Sequence, residues 1–508
     1  MTCAVIVFAY YINLQISTLA HAPQMVIFTD TDGYIQVSQA PLLSRAFLAG
    51  GRPLTLPLIY KIFQSDLNKI AWFQWGFSAF SWAILAIFVY RAIHNKWLKI
   101  AALVIILTFS LSDEIILWHQ TALSDSVRLS LFALLVACWL WLVEKFSWYK
   151  TAFLLLITFF WIFVREENAL LAVFISAFLV IASFRNWRFL IIAILLVIFY
   201  RADTFSSDLG GRWKAVVINI IEDRILVSDD WDIFAHSGMP VTPEYLEYGI
   251  PNDFEYNPIR YDPQFLDWLD QKGKKIYIHY LKTVDPLARF EEAFEALPKM
   301  VSPYILRYSP GYTTLLPEEI SELVFPRKYP LLIILASAFG CGLALLCVRK
   351  LVIPFGLLSL IFPLAFIIFH GDSNEIERHG VIIAVQARLG LWLLILFASD
   401  LVVTYLLSQK GHIQSYVQNN VFEWIRTGWY FLVDRRTVSG PVLIAIGMAA
   451  VFMSIILDLF GPPHSISLSE IGYAQGVGIF LGVIVMGVGA VLLSDQLRTA
   501  NAADSDDL

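Results

Sequence analysis

The sequence contains little charge and little cysteine. Only 15% of its 508 residues are charged, whereas 58% are hydrophobic; a soluble globular chain has about 25% charged and about 45–50% apolar residues. This composition excludes an ordinary soluble domain and predicts a polytopic membrane protein. The net charge of −6 provides no basic surface for a nucleic acid, so we expect no nucleic-acid partner. The four cysteines lie in apolar runs, where we interpret them as small hydrophobic residues rather than disulfides.

Other familiar features are also missing. The first apolar run has no basic segment before it and no small-residue cleavage site, so we interpret it as a retained membrane helix rather than a signal peptide. There is no internal repeat of fixed period, although many transporters carry one. The long polar segment 201–327 has no N-x-[ST] acceptor and no disulfide pair. That favours a bacterial cytoplasmic membrane over the endoplasmic reticulum.

Hydropathy predicts an all-α protein with about twelve transmembrane helices. The mean hydropathy is +0.66. The apolar runs lie at 3–27, 69–90, 98–112, 126–144, 149–164, 169–184, 187–200, 329–348, 351–369, 381–407, 441–460 and 472–494. The runs at 98–112 and 187–200 are shorter than the roughly 20 residues that a perpendicular helix needs, so either is a candidate for a re-entrant or half-buried segment.

The basic residues predict the orientation. If the N-terminus is cytoplasmic, the cytoplasmic loops hold most of the Lys and Arg of the short loops: 91–99, 145–150, 185–188, 349–350 and 408–440. The positive-inside rule favours this arrangement, which makes both termini cytoplasmic. The chain then divides into a transmembrane module at 1–200, a small extracytoplasmic domain at 201–327, a second transmembrane module at 328–495 and a disordered cytoplasmic tail at 496–508.

Acidic residues gather in the predicted outer segments. Ionisable groups at membrane depth are costly and usually functional. The segments are 28–35 with Asp30 and Asp32, 110–128 with Asp113, Glu114, His119, Asp125 and Arg128, 164–168 with Arg165, Glu166 and Glu167, and 370–380 with Glu377, Arg378 and His379. They are far apart in sequence but face the same side, so a helical bundle can bring them into one cleft.

Each cluster also has a structural interpretation. Asp30 and Asp32 are good helix N-caps, yet two carboxylates can equally bind a divalent cation or act as a base. Arg165 and the two glutamates after it are typical of a structural ion pair at the membrane rim. Arg378 and His379 beside a membrane suit a phosphate head group.

The segment 33–63 follows the first acidic cluster. It is about half apolar, and prolines and glycines interrupt it, so it is too broken to span a membrane. The pattern predicts two short amphipathic helices that lie in the membrane interface, with Arg52 at head-group level. A plain surface connector is the alternative. Further along, Leu287, Phe290, Phe294 and Leu297 recur at helical spacing within the polar segment.

This organisation resembles the glycosyltransferase-C (GT-C) superfamily of polytopic membrane enzymes. In both, the first span leads into an outer acidic motif and two interfacial helices, a second acidic motif follows in the next outer loop, and a soluble domain comes near the seventh span. "TDTDGYI" is similar to the first motif, with Asp32 two residues before the aromatic Tyr34, and "SDE" at 112–114 takes the place of the second. The resemblance covers roughly residues 1–200. The chain differs from the oligosaccharyltransferases, since it has no large globular C-terminal domain and no W-W-D-type motif, and transfer to asparagine is not expected.

The resemblance implies a reaction and its groups. The donor would be a sugar on a polyprenyl phosphate, and the acceptor a hydroxyl of a glycan, lipid or protein outside the membrane, with inversion at the anomeric carbon. Asp32 is then the expected general base and Asp30 its partner. The residues expected at the donor phosphate or substrate are Arg52, Tyr34, His119, Arg378, His379 and Glu377. Asp113 and Glu114 are the candidates to hold a divalent cation, Mg²⁺ or Mn²⁺.

Two other functions remain open. A transporter or flippase of a lipid-linked envelope precursor needs charged groups near the middle of the bilayer, whereas these groups gather at the rim. A non-catalytic assembly factor would use 201–327 for docking. Aromatic residues of that segment either stack on sugar rings or form a small core: Trp213, Trp231, Tyr245, Tyr248, Tyr256, Tyr261, Trp268, Tyr277 and Tyr280.

Overall fold

The computed structural model describes most of the chain as far as residue 408. The described ranges are 2–20, 25–183, 186–228, 230–247, 258–283, 285–302, 315–327, 331–344, 349–371 and 376–408. The spans predicted at 441–460 and 472–494 and the tail predicted at 496–508 lie outside these ranges. So does the loop predicted at 408–440, except for its first residue.

The described residues form helices and the turns between them. In the first half these are α1 Thr2–Ala20, α2 Thr29–Gln39, α3 Arg45–Leu48, α4 Thr55–Ile62, α5 Leu67–Ala92, α6 Lys96–Phe109, α7 Asp113–Ile116, α8 Asp125–Glu144, α9 Trp148–Ile162, α10 Glu166–Ser183 and α11 Arg188–Gly210. In the second half they are α12 Arg212–Ile220, α13 Trp231–His236, α14 Pro243–Glu247, α15 Pro263–Trp268, α16 Lys274–Thr283, α17 Pro286–Val301, α18 Glu318–Val324, α19 Leu331–Ala344, α20 Val352–Ser359, α21 Ile361–Gly371, α22 Ile376–His379 and α23 Val381–Ser408.

Several of these helices are long and apolar enough to cross a membrane. Five qualify on their own: Leu67–Ala92, Asp125–Glu144, Arg188–Gly210, Val352–Gly371 and Ile376–Thr404. A sixth is the pair Lys96–Phe109 and Asp113–Gln120, if this bent pair counts as one span. No β-strand occurs in the described ranges, where the β-type pairing is an isolated bridge. The described residues are therefore helical, with five or six helices suited to a membrane, which is consistent with the predicted all-α membrane protein.

The two short apolar runs behave differently. After the run at 98–112 the chain breaks, and the two helices of the pair meet at a 54° bend. The run at 187–200 instead continues without interruption as α11 to Gly210, so the helix extends into the segment that we assigned to the outer domain. Gly211, with φ of +66°, ends it in the left-handed region that glycine tolerates best.

Polar contacts join the helix ends at one end of the bundle. Arg91 near the end of α5 lies 3.9 Å from Glu144 at the end of α8. The carboxylate of Asp400 in α23 accepts backbone N–H groups of His94 and Asn95 at 2.8–3.0 Å. These contacts place the C-terminal ends of α5, α8 and α23 together, as expected for helices that cross in the same direction.

Backbone contacts join the first helices to the loop before α8 at the other end. Val26 and Thr121 form the parallel bridge, in which Val26 N–H donates to Gln120 and Ala122 N–H donates to Val26. The carbonyl of Ala122 also accepts the hydroxyl groups of Thr31 in α2 and Tyr60 in α4, each at 3.1 Å. One carbonyl thus connects both helices to this loop.

The interfacial segment predicted at 33–63 forms α2, α3 and α4. It packs closely on the end of α11, where Ser206 donates a 2.7 Å hydrogen bond to the carbonyl of Leu48. A Cβ atom on Gly210 would lie 2.5 Å from the Gly50 carbonyl oxygen and 2.6 Å from that of Ala49. Only glycine allows this approach.

The polar segment has a hydrophobic core of its own between residues 217 and 281. Tyr245, Trp268, Tyr277 and Tyr280 are buried in it, so these four aromatic side chains serve packing, whereas Tyr261 is exposed. Tyr248 and Tyr256 lie outside the described residues.

The next helix, α17, belongs to the core of the bundle instead. It carries the predicted apolar stripe and buries Leu297 there, together with Met300 and Val301. Leu287, Phe290 and Phe294 of the same stripe are exposed.

We expect Gly210→Ala to destabilise the protein. The added methyl group must push apart two backbone segments, and overpacking of this kind costs about 1–3 kcal/mol. The matched control is Gly76→Ala in α5, where a Cβ atom meets nothing within 4 Å. Thermal unfolding of both variants in detergent tests this. Equal melting temperatures for the two variants would contradict the close approach.

Candidate functional site

Charged side chains from all four predicted outer segments meet at the end of the bundle where α2, α8, α10 and α22 begin or end. Ion pairs and hydrogen bonds connect them. The members of this rim cluster are Asp30, Arg52, Asp125, Arg128, Arg165, Glu167, Arg378 and His379. Four guanidinium groups and a histidine thus surround three carboxylates.

Asp125 lies at the centre of the rim cluster. It is the first residue of α8 and its side chain is almost fully buried, with 4% exposed. Arg165 approaches it to 3.1 Å and Arg378 to 3.4 Å. A buried carboxylate needs such partners, because an uncompensated charge in an apolar interior costs several kcal/mol.

Asp30 lies on the exposed side of the cluster. Its carboxylate contacts Arg52 at 2.8 Å through one oxygen and Arg378 at 3.6 Å through the other, and 33% of the side chain remains accessible. Arg378 therefore bridges Asp30 and Asp125. Asp30 is in the first turn of α2, where the helix dipole also favours a negative charge.

Arg52 reaches Asp30 across the surface of α2. Its guanidinium lies 5.2 Å from the ring centroid of Tyr34. A Cβ atom on Gly33 would lie 2.6 Å from Arg52 Nε, so the glycine leaves room for this side chain. Tyr34 was expected at the substrate from the resemblance to the superfamily. In the structure it is buried and hydrogen bonded to Ser124.

The arginines determine the protonation of Asp30. Burial on its own would raise the pKa of Asp30, but the guanidinium groups of Arg52, Arg378 and Arg165 outweigh burial and hold the pKa below its ordinary value. Asp30 is therefore ionised at neutral pH and below it.

The buried side of the cluster is a network around Glu167. Its carboxylate contacts His379 Nδ1 at 3.1 Å and Arg165 at 3.7 Å. Arg128 donates to the neighbouring Asn168 at 3.0 Å. Arg128 is 1% exposed, and its Nη2 atom has no hydrogen-bond partner among the residues that the structure describes.

Asp32 stands apart from this network. It is exposed and forms no ion pair with a described residue. Residues two apart on a helix do not face the same side, so Asp30 and Asp32 cannot share a ligand in the way that an extended acidic motif would. The predicted N-cap role is wrong for both: the cap residue is Phe28, whose N–H donates to the Thr31 hydroxyl at 3.1 Å.

Asp113 and Glu114, the expected metal ligands, lie with Arg327 in a second cluster. Arg327 Nε is 2.9 Å from Glu114 and Arg327 Nη2 is 3.9 Å from Asp113. No group of three His, Cys, Asp or Glu side chains suited to a metal ion occurs in the part of the chain that is described. The residues present thus fit an arginine better than a divalent cation.

Two further residues predicted at the donor lie elsewhere. His119 is fully buried, with Nδ1 2.7 Å from the Ser126 hydroxyl and its ring packed against Trp75. Glu377 is exposed beside Arg378. Asp372 and Glu375 of the same segment are outside the described ranges.

Sequence patterns indicate only weakly that Arg165, Asp125, Arg128 and Arg327 belong to these clusters. Arg165 was interpreted as a rim ion pair, and its partner across the bundle, Asp125, follows only from the tertiary structure. Arg128 lies one helical turn after Asp125, so the spacing i, i+3 indicates a shared face. Arg327 stands in the polar segment "FPRKYP" just before a span, and nothing in that pattern indicates its acidic partners.

We expect Arg165→Met to destabilise the protein by about 3–5 kcal/mol, since it leaves the buried carboxylate of Asp125 without its nearest partner and removes one of the cations around Glu167. Arg91→Met is the matched control: it breaks an ion pair whose side chains are more than half exposed, which costs about 0–1 kcal/mol. Thermal unfolding in detergent measures both. A small effect of Arg165→Met would show that Asp125 does not depend on this pair.

The ionised form of Asp30 should stabilise the fold in a pH-dependent way. Because the pKa of Asp30 is lowered in the folded state, this stabilisation is fully present above the unfolded pKa of about 3.9 and is lost as the pH falls through the folded value. Wild type should therefore melt above Asp30→Asn near neutral pH, and the difference should vanish in acid. Asp32→Asn, which breaks no ion pair, is the control. A pH-independent difference for Asp30→Asn would contradict the assignment.

No protein-family model matches the chain, and no curated protein matches it either. A function for this chain therefore has to follow from the geometry of the rim cluster and from the motifs that it brings together.

Proposed function

We propose that this chain is an integral-membrane glycosyltransferase of the GT-C type. It moves a sugar from a polyprenyl-phosphate donor to a hydroxyl group of an acceptor outside the cytoplasmic membrane. One observation carries the proposal: a partly exposed carboxylate, Asp30, lies between two guanidinium groups at the end of an apolar helical bundle. A base beside cations is what this transfer requires.

The acceptor needs the base. A hydroxyl group has a pKa far above 7, so a carboxylate within hydrogen-bond reach must accept its proton as the new bond forms. The geometry favours Asp30 over Asp32 for this step, because Asp30 lies next to the guanidinium groups of Arg52 and Arg378, whereas Asp32 is on another side of α2. Direct attack by the acceptor inverts the anomeric carbon.

The leaving group needs the cations. As the sugar departs, negative charge develops on the polyprenyl phosphate, and fixed positive groups stabilise it. Arg52 and Arg378 are the nearest such groups to Asp30, and the planar guanidinium suits a phosphate. The buried Nη2 of Arg128, without a hydrogen-bond partner within the described ranges, adds positive charge behind them.

No step of this mechanism depends on a metal. A divalent cation at Asp113 and Glu114 would have to displace Arg327 from both carboxylates. In this proposal Arg327 therefore neutralises the second acidic motif. The arginines of the rim cluster stabilise the negative charge that develops on the phosphate.

The proposal includes the finer architecture expected from the sequence. This comprises about twelve spans, cytoplasmic termini and an extracytoplasmic domain over much of 201–327. Two contacts support the alternation of helices: Arg91 with Glu144 at one end of the bundle, and Asp125 with Arg378 at the other. The positive-inside rule makes the rim cluster the outer end.

Transfer from radiolabelled polyprenyl-phosphate sugars in detergent is the direct test. Wild type should move label to an acceptor or to water, and Asp30→Asn should reduce the rate by about 10²–10⁴-fold, the usual contribution of a general base. Asp32→Asn, two residues away, is the matched control and should retain activity. Loss of activity only in Asp32→Asn would move the role of base to Asp32.

The same assay separates the alternative function. If folded wild type binds the lipid but consumes no donor from the panel, the transferase proposal fails. Movement of intact labelled lipid across proteoliposomes would then favour a flippase.

A further inference from the structure

A cleft opens near the C-terminal end of α11, in the polar segment that follows it. It has a volume of about 620 Å³ and lies between the end of α11, α12 and α16. Four lysines line it: Lys214, Lys272, Lys274 and Lys275. We call it the lysine cleft. Its volume is within the range of about 300–1,000 Å³ typical of small-molecule sites.

The lysine cleft has an excess of positive charge. Lys214 pairs with Asp270 at 2.5 Å and Lys274 pairs with Asp208. Lys272 donates to the carbonyl of Ser237 at 3.3 Å and has no carboxylate partner among the described residues. Lys275 is exposed and pairs with no acidic side chain in the part of the chain described. Two ammonium groups thus remain for a ligand, in a chain whose net charge is −6.

The cleft also offers groups that suit a sugar. The indole of Trp213 and the side chain of Ile278 line it beside the amide of Gln271. Trp213 is half-buried, with Lys274 Nζ 5.9 Å from its ring centroid. An aromatic face can pack against the C–H face of a sugar ring, while amide and ammonium groups donate to its hydroxyl groups.

Residues next to the cleft lining contact Glu166, the neighbour of a rim-cluster residue. Arg212, the residue before Trp213, lies 2.5 Å from Glu166, which also accepts the hydroxyl of Ser207 at 3.0 Å. Glu166 precedes Glu167 of the rim cluster. The cleft is thus joined to the start of α10, which also carries Glu167 of the rim cluster, through the residues next to Asp208 and Trp213.

We propose that the lysine cleft binds an anionic carbohydrate, one that carries a phosphate or carboxylate group, and that this is the acceptor of the transfer. The last part rests on the proposed function. Lys272 and Lys275 contact the anionic group, since ammonium groups bind phosphate as point charges. Trp213 contacts the sugar ring. The rim arginines remain for the donor phosphate.

Protection of lysines from acetylation tests the site in the full chain in detergent. The probes are glucose 6-phosphate, glucose and inorganic phosphate at equal ionic strength. Mass spectrometry measures the acetylation of Lys272 and Lys275 in the cleft. It also measures that of Lys282, which is exposed on α16 but does not line the cleft. We expect glucose 6-phosphate to protect the first two and not Lys282.

Charge reversal provides the matched variants. The double change Lys272→Glu and Lys275→Glu should weaken binding of glucose 6-phosphate by at least about tenfold, as expected from the loss of two charged partners. Lys282→Glu should leave binding unchanged. In the transfer assay the double variant should still hydrolyse the donor while it loses transfer to a phosphorylated acceptor.

Three results would overturn the proposal. If the double variant and Lys282→Glu bind glucose 6-phosphate equally well, the probe does not bind at the lysine cleft. Equal affinity for inorganic phosphate and glucose 6-phosphate would show that the sugar ring contributes nothing to binding, which contradicts a carbohydrate site. Protection only in nanodiscs of phosphatidylglycerol would assign the cleft to lipid head groups. If wild type binds glucose 6-phosphate at the cleft but consumes no donor, the transferase proposal fails while the binding site stands.

Discussion

The rest of the structure depends on the burial of one carboxylate, Asp125, between Arg165 and Arg378. These residues come from α8, the turn before α10, and α22, and Arg378 extends the contact to Asp30 in α2. In a bundle whose helices are apolar, non-directional packing leaves many arrangements of similar energy. A buried ion pair is directional and costly to break. It therefore fixes how α2, α8, α10 and α22 meet at this end.

The polar groups of the bundle are separated by depth. The rim cluster occupies one end, and the opposite end holds Asp400 with His94 and the Arg91–Glu144 pair. Between them α8 is almost entirely buried and apolar. The proposed reaction at the membrane surface needs charged groups at one end only, whereas ions that cross a bilayer need polar groups along their path. The lysine cleft includes Asp208 of α11 and Trp213 of α12, which are next to the residues that contact Glu166 of α10.

Sequence reasoning predicted the helices and the meeting of the four outer segments, because hydropathy and charge placement follow from one-dimensional patterns. It did not predict which side chains meet. Asp30 and Asp32 are equivalent in the sequence, yet the early start of α2 at Thr29 turns one toward Arg52 and the other to solvent. Arg327 donates a hydrogen bond to Glu114, which is more than two hundred residues away in the sequence. No local sequence pattern predicts this pair. From its sequence, α17 was assigned to the polar segment 201–327, but this helix packs on the helical bundle, where Leu297, Met300 and Val301 are buried.

The carbonyl of Ala122 has a mechanical consequence. It accepts the hydroxyl groups of both Thr31 and Tyr60, and the bridge between Val26 and Thr121 lies beside it. Displacement of the loop before α8 would break these bonds together, so this loop holds α2 and α4 in a common position. Asp30 is therefore on a helix that hydrogen bonds hold in place, and 31% of the Arg52 side chain beside it is accessible. In the proposed reaction, a lipid head group that enters beside Asp30 displaces the accessible side chain of Arg52 and not the helix that carries the carboxylate.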